Sequence, residues 1–420
     1  MATVTSEKPP LEKRTLAASL ALAVAPLKNR NFSLLMGGRV TSNMGRNMRV
    51  FARAWLVLEL TNSPFLLGLV TSSLAWPMLF MPFVGGVLAD RIDRRKLLLY
   101  TEFALVILWV AQSLVITLGV VEWWHLMVTS VLSGIIQSVG RPGHHAMVGN
   151  VVSKQQLSSA VAIDSVADHW PRAVGLLAAT MLVVSIGVEG LFWITATLQF
   201  LTGISLLFMK WERQAPAEAA KKSVRGNLLD AFNYVKGESI IVGLVIMAIA
   251  ASMFGGIGFL MPVFARDILG VGAQGLGTLM LSSTLGVSIG SLMIMGLANH
   301  ARRGLLLVAG SLFTTAFAIG FSRSEVFWLS IALVFGMGIF QTVRQTLMDM
   351  VMQLLATNEM RGRVMALRVS IQGYSWIGVL LLGALAEGIG AANAVLIGAS
   401  VSGLVAVVIF ILMPRIPRFR

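Results

Sequence analysis

The sequence predicts an all-α membrane protein whose twelve transmembrane helices form two pseudo-symmetric bundles of six. Three observations support this: the composition, the number of long apolar runs, and the placement of basic residues between those runs. Of the 420 residues, 56% are hydrophobic and 12% are charged, whereas a soluble domain carries about 25% charged residues. With a mean hydropathy of +0.81, the chain has too little polar surface to cover a globule in water, so lipid must be part of its solvent.

The apolar runs are long enough to cross a bilayer, for which a helix needs about 20 mostly apolar residues. Numbered in chain order as spans one to twelve, they are 32–60, 64–89, 97–120, 124–150, 156–187, 190–209, 239–265, 273–298, 304–321, 326–355, 362–386 and 391–413. The predicted domains are a cytoplasmic N-terminal segment with an interfacial helix (1–31), an N-terminal six-helix bundle (32–209), a cytoplasmic linker (210–238), a C-terminal six-helix bundle (239–413) and a basic cytoplasmic tail (414–420). The stretches that begin at Gly134 and Gly338 resemble one another, as a duplicated six-helix unit predicts.

Basic residues set the predicted orientation, because cytoplasmic loops are enriched in Lys and Arg. With both termini in the cytoplasm, the bases between spans sort to that side, and the opposite side holds only Arg266 and Arg323. The apolar stretch 15–25 also resembles a signal peptide. Cleavage there would place a new N-terminus beside Lys28 and Arg30, which the predicted orientation puts in the cytoplasm. We therefore favour an interfacial helix. The net charge of +14 is thus assigned to loops at the plasma (inner) membrane and not to nucleic-acid binding.

Several residue patterns that enzymes and metalloproteins use are missing from the sequence. There is no cysteine, which excludes disulfides, thiolate metal sites and cysteine nucleophiles. The five histidines do not show the two-histidine helical spacing of zinc enzymes, and no phosphate-binding loop of the G-x-x-x-x-G-K-[ST] type is present. We therefore predict no enzymatic activity, no metal and no cofactor.

The loop between spans two and three carries the most specific motif. Residues 85–95 read GGVLADRIDRR, which resembles the G-x-x-x-D-R-x-G-R-R loop of the Major Facilitator Superfamily, with Asp93 where the pattern often has glycine. The resemblance implies a conformational latch on the cytoplasmic face. In it, a glycine permits close helix approach and an aspartate pairs with basic groups or a helix N-terminus. The latch residues are Gly86, Asp90, Arg91, Arg94 and Arg95.

The resemblance extends to one branch of that superfamily, which includes macrolide efflux pumps and the enterobactin exporter. It is carried by residues 27–45, 54–70, 85–98, 260–270 and 358–367, which lie in both halves in the expected order. It implies a cavity between the two bundles and alternating access driven by an ion gradient or by substrate. Two departures argue against proton antiport, though not against transport. Span four reads RPGHH from position 141 where the branch has G-P-A-R-Q, and Gly175 in span five is followed by leucine and not by proline.

Span one contains four arginines at membrane depth. Arg39, Arg46 and Arg53 are seven residues apart, so they form one stripe that drifts by only about 20° at each step. Arg49 lies beside the stripe and Asn43 flanks it. The stripe covers about 21 Å, which is most of the hydrocarbon thickness, so snorkelling cannot bring all four charges to water. Charges at this depth usually face a cavity or a partner.

Span five supplies candidate counter-charges. Asp164, Asp168 and Arg172 recur at every fourth residue and share one helix face. In one interpretation, an aspartate pairs with Arg46 or Arg49 and exchanges protons or substrate. In the other, a permanent ion pair holds spans one and five together. The sequence leaves both open.

Spans four and ten carry further polar residues, and the resemblance places these two helices at the centre of the fold. We expect them to line the cavity, with polar contacts between helices as the alternative. The residues are Gln137, Arg141, Gln341, Arg344, Gln345 and Asp349. Spans three, six, nine and twelve are the most apolar and are expected to face lipid, and Glu102 in span three is given no functional role. Trp76 and Trp376 could stack on an aromatic substrate.

Taken together, the sequence predicts a secondary active transporter that works by alternating access and exports small amphipathic molecules, drug-like or siderophore-like. The arginines favour anionic substrates, and proton coupling is an option. The alternatives are an importer of organic anions or a lipid-headgroup flippase on the same fold, and, from another class, a non-transporting membrane sensor. The expected partners are a small-molecule substrate and the lipid bilayer, without nucleic acid, and the expected state is a monomer.

Overall fold

The computed structural model describes residues 24–77, 94–153, 156–209, 238–297, 303–357 and 360–414, and within these ranges every regular element is a helix. Several predicted features lie outside the described residues: most of the interfacial helix, nearly all of the linker, the end of the basic tail and three latch residues (Gly86, Asp90 and Arg91). The side chains of Arg94 and Arg141 are not described either.

The described helices fall where the sequence predicts membrane spans, and a count of twelve spans is consistent with them. A short 3-10 turn, Ala25–Lys28, comes first. The helices are Arg30–Thr61 in span one, Pro64–Ser73 in span two, Arg94–Thr117 in span three, Trp123–Val151 in span four, Leu157–Leu207 in spans five and six, Ser239–Phe254 followed by Ile257–Leu260, Met261–Val263 and Phe264–Ile268 in span seven, Gly272–Leu297 in span eight, Arg303–Ser322 in span nine, Phe327–Leu355 in span ten, Arg361–Gly373 and Ser375–Ile389 in span eleven, and Ala391–Leu412 in span twelve.

Seven helices in the described ranges are long and apolar enough to cross a membrane by length and composition alone. One of them is the run Leu157–Leu207, whose 51 residues would measure about 77 Å as a straight helix, more than twice the hydrocarbon thickness. The run is divided at Gly187, which has a φ of 66° and a ψ of −178°. Only glycine adopts this conformation readily. The division lies between the predicted spans five and six.

Spans seven and eleven are interrupted part-way along their length. Span seven breaks after Gly255, and span eleven breaks at Tyr374. The two helices pack closely there, because a Cβ atom at Gly378 would collide with the backbone of Met253. Irregular backbone at membrane depth is tolerated where it is buried in protein or lines a cavity. Gly255 and Ser375 do line a cavity in the C-terminal half.

We call the end of the bundle at which span one begins the proximal end, and the end at which it finishes, at Thr61, the distal end. At the distal end the two halves share one hydrophobic core, which includes Phe51 and Leu191 from the first half and Phe264 and Phe321 from the second. The halves are therefore joined at the distal end.

Two glycines allow this close approach of the halves. A Cβ atom at Gly68 of span two would lie 3.1 Å from the carbonyl oxygen of Val379, and one at Gly383 of span eleven would lie 3.2 Å from that of Pro64. Both distances are shorter than an ordinary van der Waals contact. Spans two and eleven therefore form a tight seam between the halves.

Candidate functional site

The N-terminal half contains a cavity of about 300 Å³ that is lined by spans one, three, four, five and six. Many of the predicted site residues line it together: Arg39, Asn43, Arg46, Arg49, Gln137, Asp168 and Arg172. Glu102, Gln199 and Thr202 add further polar groups to its wall. We call this space the N-terminal cavity.

Small residues and two asparagines hold span one against span five. A Cβ atom at Gly175 of span five would collide with the backbone of Met44, so the two helices lie in direct backbone contact. Asn43 donates from Nδ2 to the carbonyl oxygen of Ala167 at 3.0 Å, and Asn47 donates to that of Arg172 at 3.1 Å. These bonds fix the rotation of span one, so that Arg39, Arg46 and Arg49 line the cavity.

Arg39 bridges the two aspartates of span five. Its Nε lies 2.9 Å from Oδ1 of Asp164, and its Nη2 lies 3.1 Å from Oδ1 of Asp168. Arg172 donates from Nη2 to Oδ2 of Asp168 at 2.7 Å. The sequence named Arg46 or Arg49 as the partner, whereas these contacts use Arg39 and Arg172.

The position of Arg49 explains part of this difference, because it lies about 80° round the helix from Arg39, on the side away from Asn43. It is 8% exposed. Its guanidinium carbon is 4.4 Å from the ring centroid of Trp109, within range for a cation–π contact. Its Nη atoms reach the carbonyl oxygen of Thr195 at 3.3 Å and Oε1 of Gln199 at 3.5 Å. Arg49 therefore contacts spans three and six and not an aspartate of span five, and the other predicted partner, Arg46, stays a prediction.

Glu102 is a site residue that the sequence interpretation missed. It lines the N-terminal cavity, accepts a hydrogen bond from Nε2 of Gln199, and lies within electrostatic range of Arg46 and Arg49. Spans three and six, which were expected to face lipid, thus also line the cavity where they carry Glu102 and Gln199. The signal was present in the sequence, because an acid inside a span is costly unless it faces a partner or a cavity.

Arg53 lies further toward the distal end, outside the lining of the N-terminal cavity. It is 9% exposed and donates from Nη1 to Oγ of Ser130 at 2.6 Å. Span one thus presents arginines along most of its length to the interior of its bundle, as the stripe predicts. The described interior holds five arginines (Arg39, Arg46, Arg49, Arg53, Arg172) and three carboxylates (Glu102, Asp164, Asp168), so its formal charge is positive.

The C-terminal half has a second cavity, of about 280 Å³, between spans seven, ten and eleven. The predicted residues Gln341, Arg344 and Gln345 line it. Arg368 also lines this cavity, whereas Asp349 does not. Oδ1 of Asp349 lies 2.9 Å from Nε of Arg368. Arg368 was not selected from the sequence, although it falls inside predicted span eleven and a base at that depth is itself a signal. We call this space the C-terminal cavity.

Of the predicted latch, the structure describes the side chain of Arg95. Its Nη2 donates to the carbonyl oxygens of Leu207 at 2.9 Å and Leu206 at 3.4 Å. A cation at a helix C-terminus compensates the unpaired carbonyls and the helix dipole. Arg95 thus ties the start of span three to the end of span six, and the latch role stays a prediction.

At the distal end, two charged residues of the C-terminal half cap helix ends of the N-terminal half. Arg266 donates from Nη1 to the carbonyl oxygen of Leu58 at 2.8 Å and to Oδ1 of Asn62 at 2.7 Å. The carboxylate of Glu387 accepts from Oγ of Ser63 at 2.8 Å and from the backbone nitrogen of Phe65 at 3.2 Å. We call these contacts the distal clasp. They hold the point at which span one ends and span two begins.

The indole rings of Trp76 and Trp376, one from each half, lie edge to face with centroids 6.2 Å apart. Neither indole nitrogen has a hydrogen-bond partner among the described residues. The two rings therefore meet at the boundary between the halves, where stacking on an aromatic substrate stays a prediction.

Most of the chain is similar in sequence to known membrane proteins. A family model described as "Transmembrane secretion effector" matches residues 21–420. The enterobactin exporter EntS of Shigella boydii serotype 4 (strain Sb227) is 25% identical over 368 residues, which cover 86% of this chain and 86% of that protein. EntS of Shigella flexneri is 26% identical with the same coverage.

Solved transporter structures share the fold. The nucleoside transporter NupG superimposes with a TM-score of 0.72 at 14% identity, covering 92% of this chain and 99% of that chain. A bacterial homologue of the human lysosomal transporter Spinster, in an inward-facing and unoccupied conformation, gives a TM-score of 0.68 at 12% identity, covering 94% of this chain and 96% of that chain. At such identities the likeness concerns the fold alone.

Proposed function

Because the chain belongs to the transmembrane secretion effector family of the Major Facilitator Superfamily, we propose that it exports small amphipathic anions from the cytoplasm by alternating access. Membership makes it a multi-pass membrane transporter and not an enzyme. The direction and the substrate class are the proposal. Export is suggested by the relatives, which are named enterobactin exporters, and the anionic class is suggested by the cavity.

The observation that carries the anionic class is the excess of arginine in the interior of the N-terminal half. Arg46 and Arg49 line the N-terminal cavity, and so does Glu102, which lies within electrostatic range of both arginines. Electrostatic attraction is stronger in a partly desolvated space than in water. Rings and clusters of one charge sign select ions of the opposite sign. An organic anion would therefore be favoured over a neutral or cationic molecule of the same size.

The distal clasp and the shared distal core support alternating access. With the orientation that the basic loops predict, the distal end faces outside, so the clasp closes the outer side of the protein. Release of an exported substrate then requires that the clasp and the seam between spans two and eleven open. Hydrogen bonds at exposed helix ends are suited to this, because water can replace them when they break.

The contacts of Asp164 and Asp168 favour a structural role for this pair over proton exchange. Each aspartate has an arginine nitrogen within 3.1 Å, so Arg39 of span one is tied to both carboxylates of span five. We propose that Arg39, Asp164, Asp168 and Arg172 hold spans one and five together.

The test is transport by purified protein in proteoliposomes. The probes are 2,3-dihydroxybenzoate as an aromatic anion, ethidium as an aromatic cation and naphthalene as a neutral compound. The proposal expects uptake into inside-out vesicles of the anion only, and expects Arg49→Gln to reduce it while the exposed Arg323→Gln leaves it unchanged. Transport of the cation in preference to the anion would refute the substrate class, and transport in right-side-out vesicles alone would favour an importer.

A further inference from the structure

The C-terminal cavity contains two arginines whose donors are not all used within the protein. Arg344 on span ten and Arg368 on span eleven both line it. Arg368 is only 4% exposed. Among the described residues, no acceptor forms a hydrogen bond with Nη1 of Arg368 or with Nε of Arg344, and both nitrogens are buried.

Buried guanidinium groups usually have their donors paired, because removing a charged donor from water without a partner is costly. The one carboxylate in contact does not meet this requirement. Oδ1 of Asp349 lies 2.9 Å from Nε of Arg368, whereas Nη1 of that arginine has no acceptor within the described part of the chain. Arg344 lines the same cavity, so the described residues here hold two arginines and one aspartate, and their formal charge is positive.

The wall around the arginines is built for a polar ligand. Gln341 and Gln345 lie on the same face of span ten, one turn apart, and both line the cavity with Ser252 of span seven and Ser375 of span eleven. Gly255, at the interruption of span seven, adds a wall position without a side chain. Amide and hydroxyl groups can donate to the oxygens that a guanidinium leaves unpaired.

We propose that Arg344 and Arg368 form an oxyanion subsite in the C-terminal half, separate from the N-terminal cavity. It takes a carboxylate, sulfonate or phosphate group, and Asp349 positions Arg368 by its contact with Nε. The proposal rests on the proposed function only in that organic anions enter the protein. Planar guanidinium groups bind such oxyanions through paired hydrogen bonds.

The absence of cysteine from the chain permits a direct measurement of the local potential. A single cysteine replaces Ser252 in the full-length protein, in nanodiscs. Its rate of reaction is measured with an anionic reagent, sulfonatoethyl methanethiosulfonate, and with a cationic one, trimethylammoniumethyl methanethiosulfonate. Both reagents attack the same thiolate, so their rate ratio cancels effects on thiol acidity.

The subsite predicts an anion-to-cation rate ratio about tenfold higher at Ser252→Cys than at the exposed Gln274→Cys. Arg368→Gln and Arg344→Gln should each lower the ratio by several fold. Sodium sulfate should slow the anionic reagent more than sodium chloride of equal ionic strength. The inference is overturned if the ratio at Ser252→Cys equals that of the exposed control, or if neither arginine substitution changes it.

A second cysteine separates this inference from the proposed function. Ser42 lines the N-terminal cavity, and Arg368→Gln should leave the ratio at Ser42→Cys unchanged. Suppose that the rate ratio is as low at Ser42→Cys as at the exposed control, but is high at Ser252→Cys. That result would count against the anionic substrate class and not against the subsite. If neither Ser252→Cys nor Ser375→Cys reacts with either reagent, the cavity does not admit an anion and the inference fails.

Discussion

Arg266, near the end of span seven, donates a 2.7 Å hydrogen bond to Oδ1 of Asn62, the residue that caps the C-terminal end of span one. Asn62 has a φ of 50°, the left-handed conformation that commonly terminates a helix. Asp267 orients the same guanidinium, with Nε of Arg266 2.7 Å from its Oδ1. A charged group of one half thus completes a helix terminus of the other.

We expect Arg266→Gln to weaken the distal clasp and to increase the population of states that are open at the distal end. Loss of charged hydrogen bonds that are partly exposed should cost about 1 kcal/mol, which corresponds to roughly a fivefold change in the ratio of the two populations. Spin labels at Glu189 and Gln274 would report the distance between the halves at this end. Arg323→Gln is the control, and identical distance distributions for all three proteins would contradict the role of the clasp.

Arg49→Ala and Arg46→Ala should abolish transport of the aromatic anion while the protein remains inserted in the membrane. The reason is the loss of positive charge from a partly desolvated cavity. Arg49→Lys keeps the charge but not the planar contact with Trp109 and should retain intermediate activity. Initial rates in proteoliposomes at matched protein content give the comparison, and full activity in both alanine variants would remove the charge hypothesis.

Asp168→Asn should lower thermal stability, because it leaves Arg39 and Arg172 facing each other with one carboxylate fewer. Breaking a partly buried ion pair costs about 3 kcal/mol. A thermodynamic cycle compares the free energy of unfolding of the unmodified protein, Asp168→Asn, Arg39→Gln and the double variant. It should show coupling between the two positions. Loss of pH-driven uptake with unchanged stability would instead support proton exchange by this aspartate.

Glu102→Gln should strengthen binding of an anionic substrate several fold, because it removes a carboxylate that lies within electrostatic range of Arg46 and Arg49. Equilibrium binding to the purified protein measures the effect. Gln199→Met removes the group that donates a hydrogen bond to Glu102. It does not change the charge of the cavity, so it is the matched control. Weaker binding by Glu102→Gln would show that this carboxylate contacts the substrate favourably.

Gly187→Ala should destabilise the protein by about 1–3 kcal/mol through backbone strain alone, because no atom lies within 4 Å of the added methyl group. Gly388→Ala is the control, since it also meets no atom within 4 Å and its φ is not positive. Thermal unfolding in detergent compares the two. Equal midpoints would show that the backbone at position 187 can relax into another conformation.

The sequence predicted the fold well because membrane spans are specified by long apolar runs, which depend on composition and not on fine packing. It also predicted that the arginines of span one face the protein interior, because a stripe of charge at that depth excludes the lipid side. Both features depend on the residues of each span itself and not on its neighbouring helices.

Partner choice could not be predicted in the same way. Whether Arg39 or Arg49 meets Asp168 depends on the rotation of span one against span five, which Gly175 and Asn43 set through contacts between helices. Glu102 and Arg368 were visible as intramembrane charges, but their neighbours Gln199 and Asp349 lie on other helices, and only the packing of the bundle brings each pair together.

Two residues, Asn62 and Ser63, separate the end of span one from the start of span two, and the distal clasp holds both of them. Such a short connection leaves little freedom for one helix to move without the other, so the first two helices must travel as a single hairpin. The second half then holds this hairpin at its turn, through a cation that bonds Asn62 and an anion that bonds Ser63. A substitution at Asn62 would remove a bond to the cation, and one at Ser63 would remove a bond to the anion. The two positions therefore allow the opening of the distal end to be changed in separate steps.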